Sequence, residues 1–290
     1  MIIIIGCLIV LGTVMGGFMM AGGKPVVLMH VSEFVIIGGA ALGSMVIMSP
    51  KKVLIDMGKC ILLALKGAPY NQTAYEELLK ALYELFLLGR RNGMIALEEH
   101  VMSPQTSSIF TKYPSFIHNH HAVEFLCNGL RPIIDGKIKP DQLKLLMETE
   151  LDSMEEELLA PVSVLTKAAD AMPGFGIVAA VLGIVITMAS VAEDIGSVGE
   201  KVAAALVGTF LGIFLSYGFM NPLATNIEFI HASEMSYSRC IAAAVVGFAN
   251  GMAPIMAVEV GRRGLSSDMR PTSDALEAML KPLNATAKTS

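Results

Sequence analysis

The chain has 290 residues, of which 53% are hydrophobic and only 16% charged, and its mean hydropathy is +0.61. A soluble domain carries about a quarter of its residues as charges, so this composition points to a membrane protein. A formal net charge of −5 argues against a nucleic-acid partner, and a collagen, a disulfide scaffold and a disordered chain are excluded as well.

Charge-free stretches locate the spans, because an ionised side chain at the bilayer centre costs about 2.5–3.5 kcal/mol on insertion scales. They are 1–23, 34–50, 171–192, 202–227 and 240–258, and about 20 apolar residues suffice to cross. The first lacks a basic n-region and a small-residue cleavage site, so it reads as a retained span and not a signal peptide. Residues 34–50 pair with it as a hairpin.

The segment 51–170 reads as helical. Over Ala74–Leu88 the apolar residues Leu78, Leu79, Leu82, Leu85 and Phe86 recur with a 3.6-residue period. Arg90 and Arg91 then precede Asn92-Gly93, a helix stop, and Met94–Met102 resumes with Glu98 and Glu99. The result is a charged helix–turn–helix corner, either a plain solvated surface or a docking patch for a charged partner. His118, His120 and His121 have no matching ligand set elsewhere, so no metal is expected. The six carboxylates within Glu148–Glu157 read as a solvated helix face. Cys7, Cys60, Cys127 and Cys240 form no CxxC pair and read as reduced thiols.

Residues 171–192 and 202–223 form a second hairpin, joined by the link 193–201. The fifth stretch, 240–258, contains Asn250, Gly251 and Pro254 and reads as a buried helix outside the membrane. Lys24 and Lys201 are the only Lys or Arg in the links 24–33 and 193–201. The positive-inside rule therefore puts both termini and the long middle segment in the cytoplasm. The expected fold class is an all-α integral membrane protein with four transmembrane helices and a large helical cytoplasmic domain between helices 2 and 3. Its parts are a first hairpin (1–50), a cytoplasmic domain (51–170), a second hairpin (171–227), and C-terminal helices with a polar tail (228–290).

Small residues recur four apart in each span: Gly12 and Gly16, Gly39 and Gly43, Ala179 and Gly183, Gly208 and Gly212. Such faces let backbones approach closely, within one subunit or between copies. No Asp, Glu, Lys, Arg or His falls inside an assigned span. The polar atoms there are hydroxyls, among them Thr13, Ser44, Thr187, Ser190, Thr209, Ser216 and Tyr217. Hydroxyls can line a wet path but do not titrate usefully. If the chain conducts protons, a partner must supply the carboxylate. Pro173, followed by Gly174-Phe175-Gly176, fits the first turn of a helix. Pro222 is expected to kink span four or to end its membrane portion. No GxGxxG, P-loop, HExxH or GxSxG motif supports enzymatic activity.

Several stretches together resemble the MotA family of flagellar stator subunits, within the MotA/TolQ/ExbB proton channel superfamily. They are Ala205-Leu206-Val207-Gly208-Thr209-Phe210-Leu211-Gly212-Ile213-Phe214 followed by Pro222, the corner Arg90-x-x-Gly93-x-x-x-Leu97-Glu98, and Pro173-Gly174-Phe175-Gly176-Ile177. The likeness extends over nearly the whole chain, including the Ile109–Pro140 insertion and Arg270-Pro271. It implies five copies, a homopentamer, around a dimer of MotB whose transmembrane Asp carries the proton. It also implies a multi-pass protein of the bacterial inner membrane, working in flagellar rotation and chemotaxis. Arg90, with Arg91 sharing or replacing its role, and Glu98 would face the rotor protein FliG. Pro173 and Pro222 would serve conformational coupling, and Thr209 would lie near the partner's carboxylate. Ala180 stands where sodium-driven relatives carry Thr, which favours protons, the translocated ion in place of any cofactor. Tyr217 joins this set as a hydroxyl of the ion pathway. The rival readings are an ExbB- or TolQ-like energiser of outer-membrane processes, which would lack the opening hairpin, a solute permease acting alone, and a purely structural membrane scaffold.

Overall fold

The computed structural model describes residues 2–67, 69–190 and 198–286, and every described element is helical. The order is α1 (Ile2–Met20), α2 (Val31–Met48), α3 (Lys51–Lys66), α4 (Gln72–Asn92), α5 (Glu98–Met102), α6 (Pro114–Ile117), α7 (His120–Ile134), α8 (Pro140–Ser190), α9 (Val198–Leu215), α10 (Asn221–Ala249), α11 (Pro254–Arg263) and α12 (Ser273–Thr286). A π-helical turn, Ser216–Met220, lies between α9 and α10. Four stretches are long and apolar enough to cross a membrane: Ile2–Met20, Pro25–Met48, Pro140–Met188 and Val202–Ala249. Most of the link expected at 193–201, its residues 193–197, lies outside the described residues, as do residues 287–290 of the tail.

The chain divides into two compact units, one of residues 1–67 and 157–229, the other of residues 68–156 and 230–290. In the first unit α2 turns Glu33, Ile37, Ala41 and Met45 inward at four-residue spacing. Ile37 and Ala41 join Met172, Ala179, Val207 and Leu211 in its core. By contrast, no residue of α1 is buried. In the second unit Asn71 caps α4, its side chain accepting from the Ala74 N–H at 2.9 Å. The periodic residues Leu78, Leu79, Leu82, Leu85 and Phe86 are all buried, and Phe86 stacks on Phe248 with ring centroids 4.5 Å apart.

Four expectations need correction. Helix α2 begins at Val31, so the charge-free stretch 34–50 omits its first turn and Glu33 belongs to the helix. Pro173 is not at a first turn, because α8 runs unbroken for 51 residues from Pro140. The reason is that Leu165, Ala168, Ala169 and Met172 keep a helical burial pattern up to the proline, and tertiary packing offsets the roughly 3 kcal/mol that an interior proline costs. Helix continues past residue 223, through Pro222, up to Ala249. The stretch 240–258 is not one helix, since Gly251 (φ +82°) turns the chain between α10 and α11.

Candidate functional site: a close helix contact and a charged corner

Within the first unit, α8 and α9 meet backbone to backbone. A Cβ added to Gly176 would lie 2.7 Å from the Gly208 carbonyl, and one added to Gly212 would lie 2.6 Å from the Met172 carbonyl. Higher on the same pair, a Cβ at Gly183 would stand 3.1 Å from Ala205 Cβ. The faces Ala179/Gly183 and Gly208/Gly212 are thus consumed inside the unit. Gly12, Gly16, Gly39 and Gly43 have open space where a Cβ would go. The small-residue faces of α8 and α9 therefore close the subunit, while those of α1 and α2 keep open space at their Cβ positions.

Ala180 and Thr209, both half-buried, belong to the closed contact. The Ala180 backbone N lies 3.4 Å from the Gly208 Cβ position, and Thr209 Cα lies 3.3 Å from that of Gly176. Pro173 directly follows the Met172 carbonyl that touches Gly212. Tyr217 and Pro222 are set apart from this contact. Tyr217 is exposed on the π turn, and Pro222 is exposed at the second position of α10. Without an N–H, Pro222 cannot bond the Gly218 carbonyl four residues back, and the π turn absorbs the break. Asn221 holds that turn by donating from Nδ2 to Asp170 Oδ1 at 3.1 Å and to Ser216 Oγ at 3.5 Å.

Sequence reasoning missed Glu33. Its side chain is 5% exposed, and its Oε2 stands 2.6 Å from where a Gly208 Cβ would be. That oxygen has no hydrogen-bond partner among the described residues. The signal was present in the spacing Glu33, Ile37, Ala41, Met45, whose later members are plainly a buried apolar stripe. A search for charge-free windows begins one residue too late to include it.

In the second unit the charged corner forms where α4 stops. Gly93 adopts φ +86°, a conformation that L side chains rarely take. Leu97, fully buried, packs on Gly89, where a Cβ would come within 3.0 Å of both Leu97 and Phe248. This anchor sends Arg90 and Glu98 into solvent on the two arms of the turn. Among the described residues neither has an ion-pair partner. Arg91 differs, because its Nη2 donates to Asn284 Oδ1 of α12 at 3.3 Å. Behind the corner, buried His100 shares a 2.8 Å hydrogen bond with Ser107 Oγ, and burial pushes its pKa below the usual imidazole value. His118 Nδ1 lies 2.7 Å from the Pro114 carbonyl. Cys127 and Cys240 are buried free thiols.

Residues 4–93 match the family described as motility protein A N-terminal, and residues 118–236 match the MotA/TolQ/ExbB proton channel family. The motility protein A of Salmonella typhimurium is 38% identical over 96% of this chain and 94% of its own length. The chain belongs to the motility protein A family. The Escherichia coli member is also 38% identical over 96% of this chain and 94% of its own. The chemotaxis protein LafT of Vibrio parahaemolyticus is 37% identical over 95% of this chain and 97% of its own. Among solved structures, the flagellar MotAB stator complex of Bacillus subtilis matches with TM-score 0.73 at 24% identity, covering 95% of this chain and 98% of that one. The fold is thus that of the family, and with its four long apolar helices the chain is a multi-pass membrane protein.

Proposed function

We propose that this chain is the stator subunit of a flagellar motor, working with a MotB-type partner to conduct protons and drive the rotor. The observation that carries this reading is the whole-length similarity to motility protein A, which takes in both the opening hairpin and the charged corner. Because the N-terminal family match covers residues 4–93, it favours this reading over an ExbB- or TolQ-like energiser, for which no such hairpin is expected.

In this mechanism the chain sits in the bacterial inner membrane with both termini cytoplasmic, and five copies surround a MotB dimer. The open small-residue faces of α1 (Gly12, Gly16) and α2 (Gly39, Gly43) suit close approach of another helix. The partner's Asp carries the proton near Thr209 and Ala180, and no bound cofactor takes part. An ionised carboxylate facing apolar helices is costly, so each protonation changes which neighbouring subunit that Asp prefers. Repetition of that step turns the ring. Arg90 and Glu98, solvent-facing and without ion-pair partners among the described residues, engage charges of opposite sign on FliG. Arg91, tied to Asn284, assists. Pro173 and the π turn beside Pro222 let the helices flex as the ion passes, and Tyr217 borders the path.

A deletion strain carrying this gene tests the reading. Swimming should be restored, should stop when the proton gradient is collapsed, and should survive collapse of the sodium gradient. Restoration that depends on sodium alone would overturn the proton assignment. No restoration beside a functional MotB partner would overturn the stator assignment.

A further inference from the structure

We propose that Glu33 is a second proton-holding group of the conduction path, acting in series with the carboxylate that the partner supplies. This rests on the proton-conducting reading above and extends it to a residue of this chain.

Three observations carry it. Glu33 is buried to 5% exposure inside a unit built of membrane-spanning helices, and its Oε2 has no hydrogen-bond partner among the described residues. Burial penalises the ionised carboxylate there and so favours the protonated form, while a charge on the His30 imidazole, just before α2, offsets part of that penalty. The site is also built for it. Gly208 leaves the space the carboxyl fills, since a Cβ there would stand 2.6 Å from Oε2. The same absent Cβ would lie 3.2 Å from Ala179 Cβ and 3.4 Å from the Ala180 N, so α2, α8 and α9 converge on this one point. Thr209, adjacent to Gly208, is half-buried and carries a hydroxyl able to relay a hydrogen bond.

The surroundings select the ion. Ile37, Ala179 and Val207 dominate this part of the core. A hard metal cation would need a shell of several oxygens, and a single carboxyl in apolar company does not provide one. A proton needs only one oxygen. The step balances simply. The Glu33 O–H bond breaks, the proton passes to a water of the path or to the partner's ionised carboxylate, and the remaining carboxylate later takes a proton from a water on the other side. The charge on Glu33 is transient, because the apolar contact favours the neutral form.

The test is proton flux through the complex of this chain with its MotB partner, reconstituted in liposomes with a trapped pH-sensitive dye. It is measured as a function of pH for the wild type, Glu33→Gln and Glu33→Asp. Glu33→Gln keeps the shape and fills the same space, so assembly, followed by size-exclusion chromatography, should be unchanged. Flux should fall severalfold, its pH profile should lose one ionisation step, and the infrared band of a protonated carboxyl should lose intensity. Glu33→Asp should recover part of the flux and the lost step. Wild-type flux with an unaltered profile in Glu33→Gln would overturn the proposal. So would a fall in flux with the profile unchanged, which would mark Glu33 as a packing residue. A wild-type complex that carries no proton flux would defeat the proton-conducting reading itself, a separate outcome from either of these.

Discussion

Replacing Gly176 with alanine tests how tightly α8 and α9 are locked. The new methyl would sit 2.7 Å from the Gly208 carbonyl, 3.2 Å from Gly212 Cα and 3.3 Å from Thr209 Cα. All three are backbone atoms, so no side chain can rotate away. Reaching an ordinary contact of about 3.4 Å requires the helices to part by roughly 0.7 Å, and overpacking of this kind costs about 1–3 kcal/mol. Helix propensity opposes it by up to about 1 kcal/mol, the gain of Ala over Gly in a helix interior. The net expectation is a loss centred near about 1 kcal/mol, read as a lower melting temperature of the purified complex. Because Thr209 and Ala180 ride on the same contact, proton flux should fall too. Gly39→Ala is the control: Gly39 is exposed with open space around it, so the isolated chain should be as stable as wild type or more so. A melting temperature for Gly176→Ala at or above wild type would refute the claim that backbone contact, and not propensity, governs this helix pair. A loss in Gly39→Ala seen only in the assembled complex would mean that another chain covers that face.

Charge reversal separates the two arginines. Arg90→Glu should abolish or strongly reduce torque while leaving proton flux intact, whereas Arg91→Ala should chiefly loosen the Asn284 contact and have a milder effect on swimming; equal defects would contradict this division. Pro222→Ala restores a donor to the Gly218 carbonyl, so thermal stability should hold or rise while motility falls, and unchanged motility would show that the π turn is not used. Arg262 is buried and donates to both oxygens of Glu259, to the Pro271 carbonyl at 2.6 Å and to Ser273 Oγ at 3.0 Å, so Arg262→Met, which leaves Glu259 its bond from Arg263, should destabilise the chain by about 1–3 kcal/mol in thermal or denaturant melts. The hydrogen bonds from Arg262, with those from Arg263, hold the Glu259 carboxyl down at about 2. Its contribution to stability is therefore complete above the ordinary value of 4.5 and is lost as pH falls toward 2. The stability of Glu259→Gln should vary less across that window than that of the wild type.

Apolar runs and their lengths were enough, by themselves, to specify an all-helical membrane chain with four spans, because lipid leaves a backbone few other ways to satisfy its hydrogen bonds. The corner was legible for a similar local reason: Asn92-Gly93 directly after a helical apolar period is a helix stop, and Arg90 and Glu98 stand on either side of it. Helix ends inside continuous apolar packing were not legible. Pro173 and Pro222 look like terminators in one dimension, yet burial of Ala168, Ala169 and Met172 carries α8 past the first, and a π turn carries the chain past the second. Nor could the sequence say which small-residue stripe closes the subunit and which stays open, since all four repeat with the same spacing. Only the packing of α8 on α9 decided that. It also decided the place of Glu33, a residue that reads as part of a loop until α9 presents a glycine against which its carboxyl can be buried. Period and composition are properties of a segment, whereas the burial of one side chain depends on what another segment brings to it.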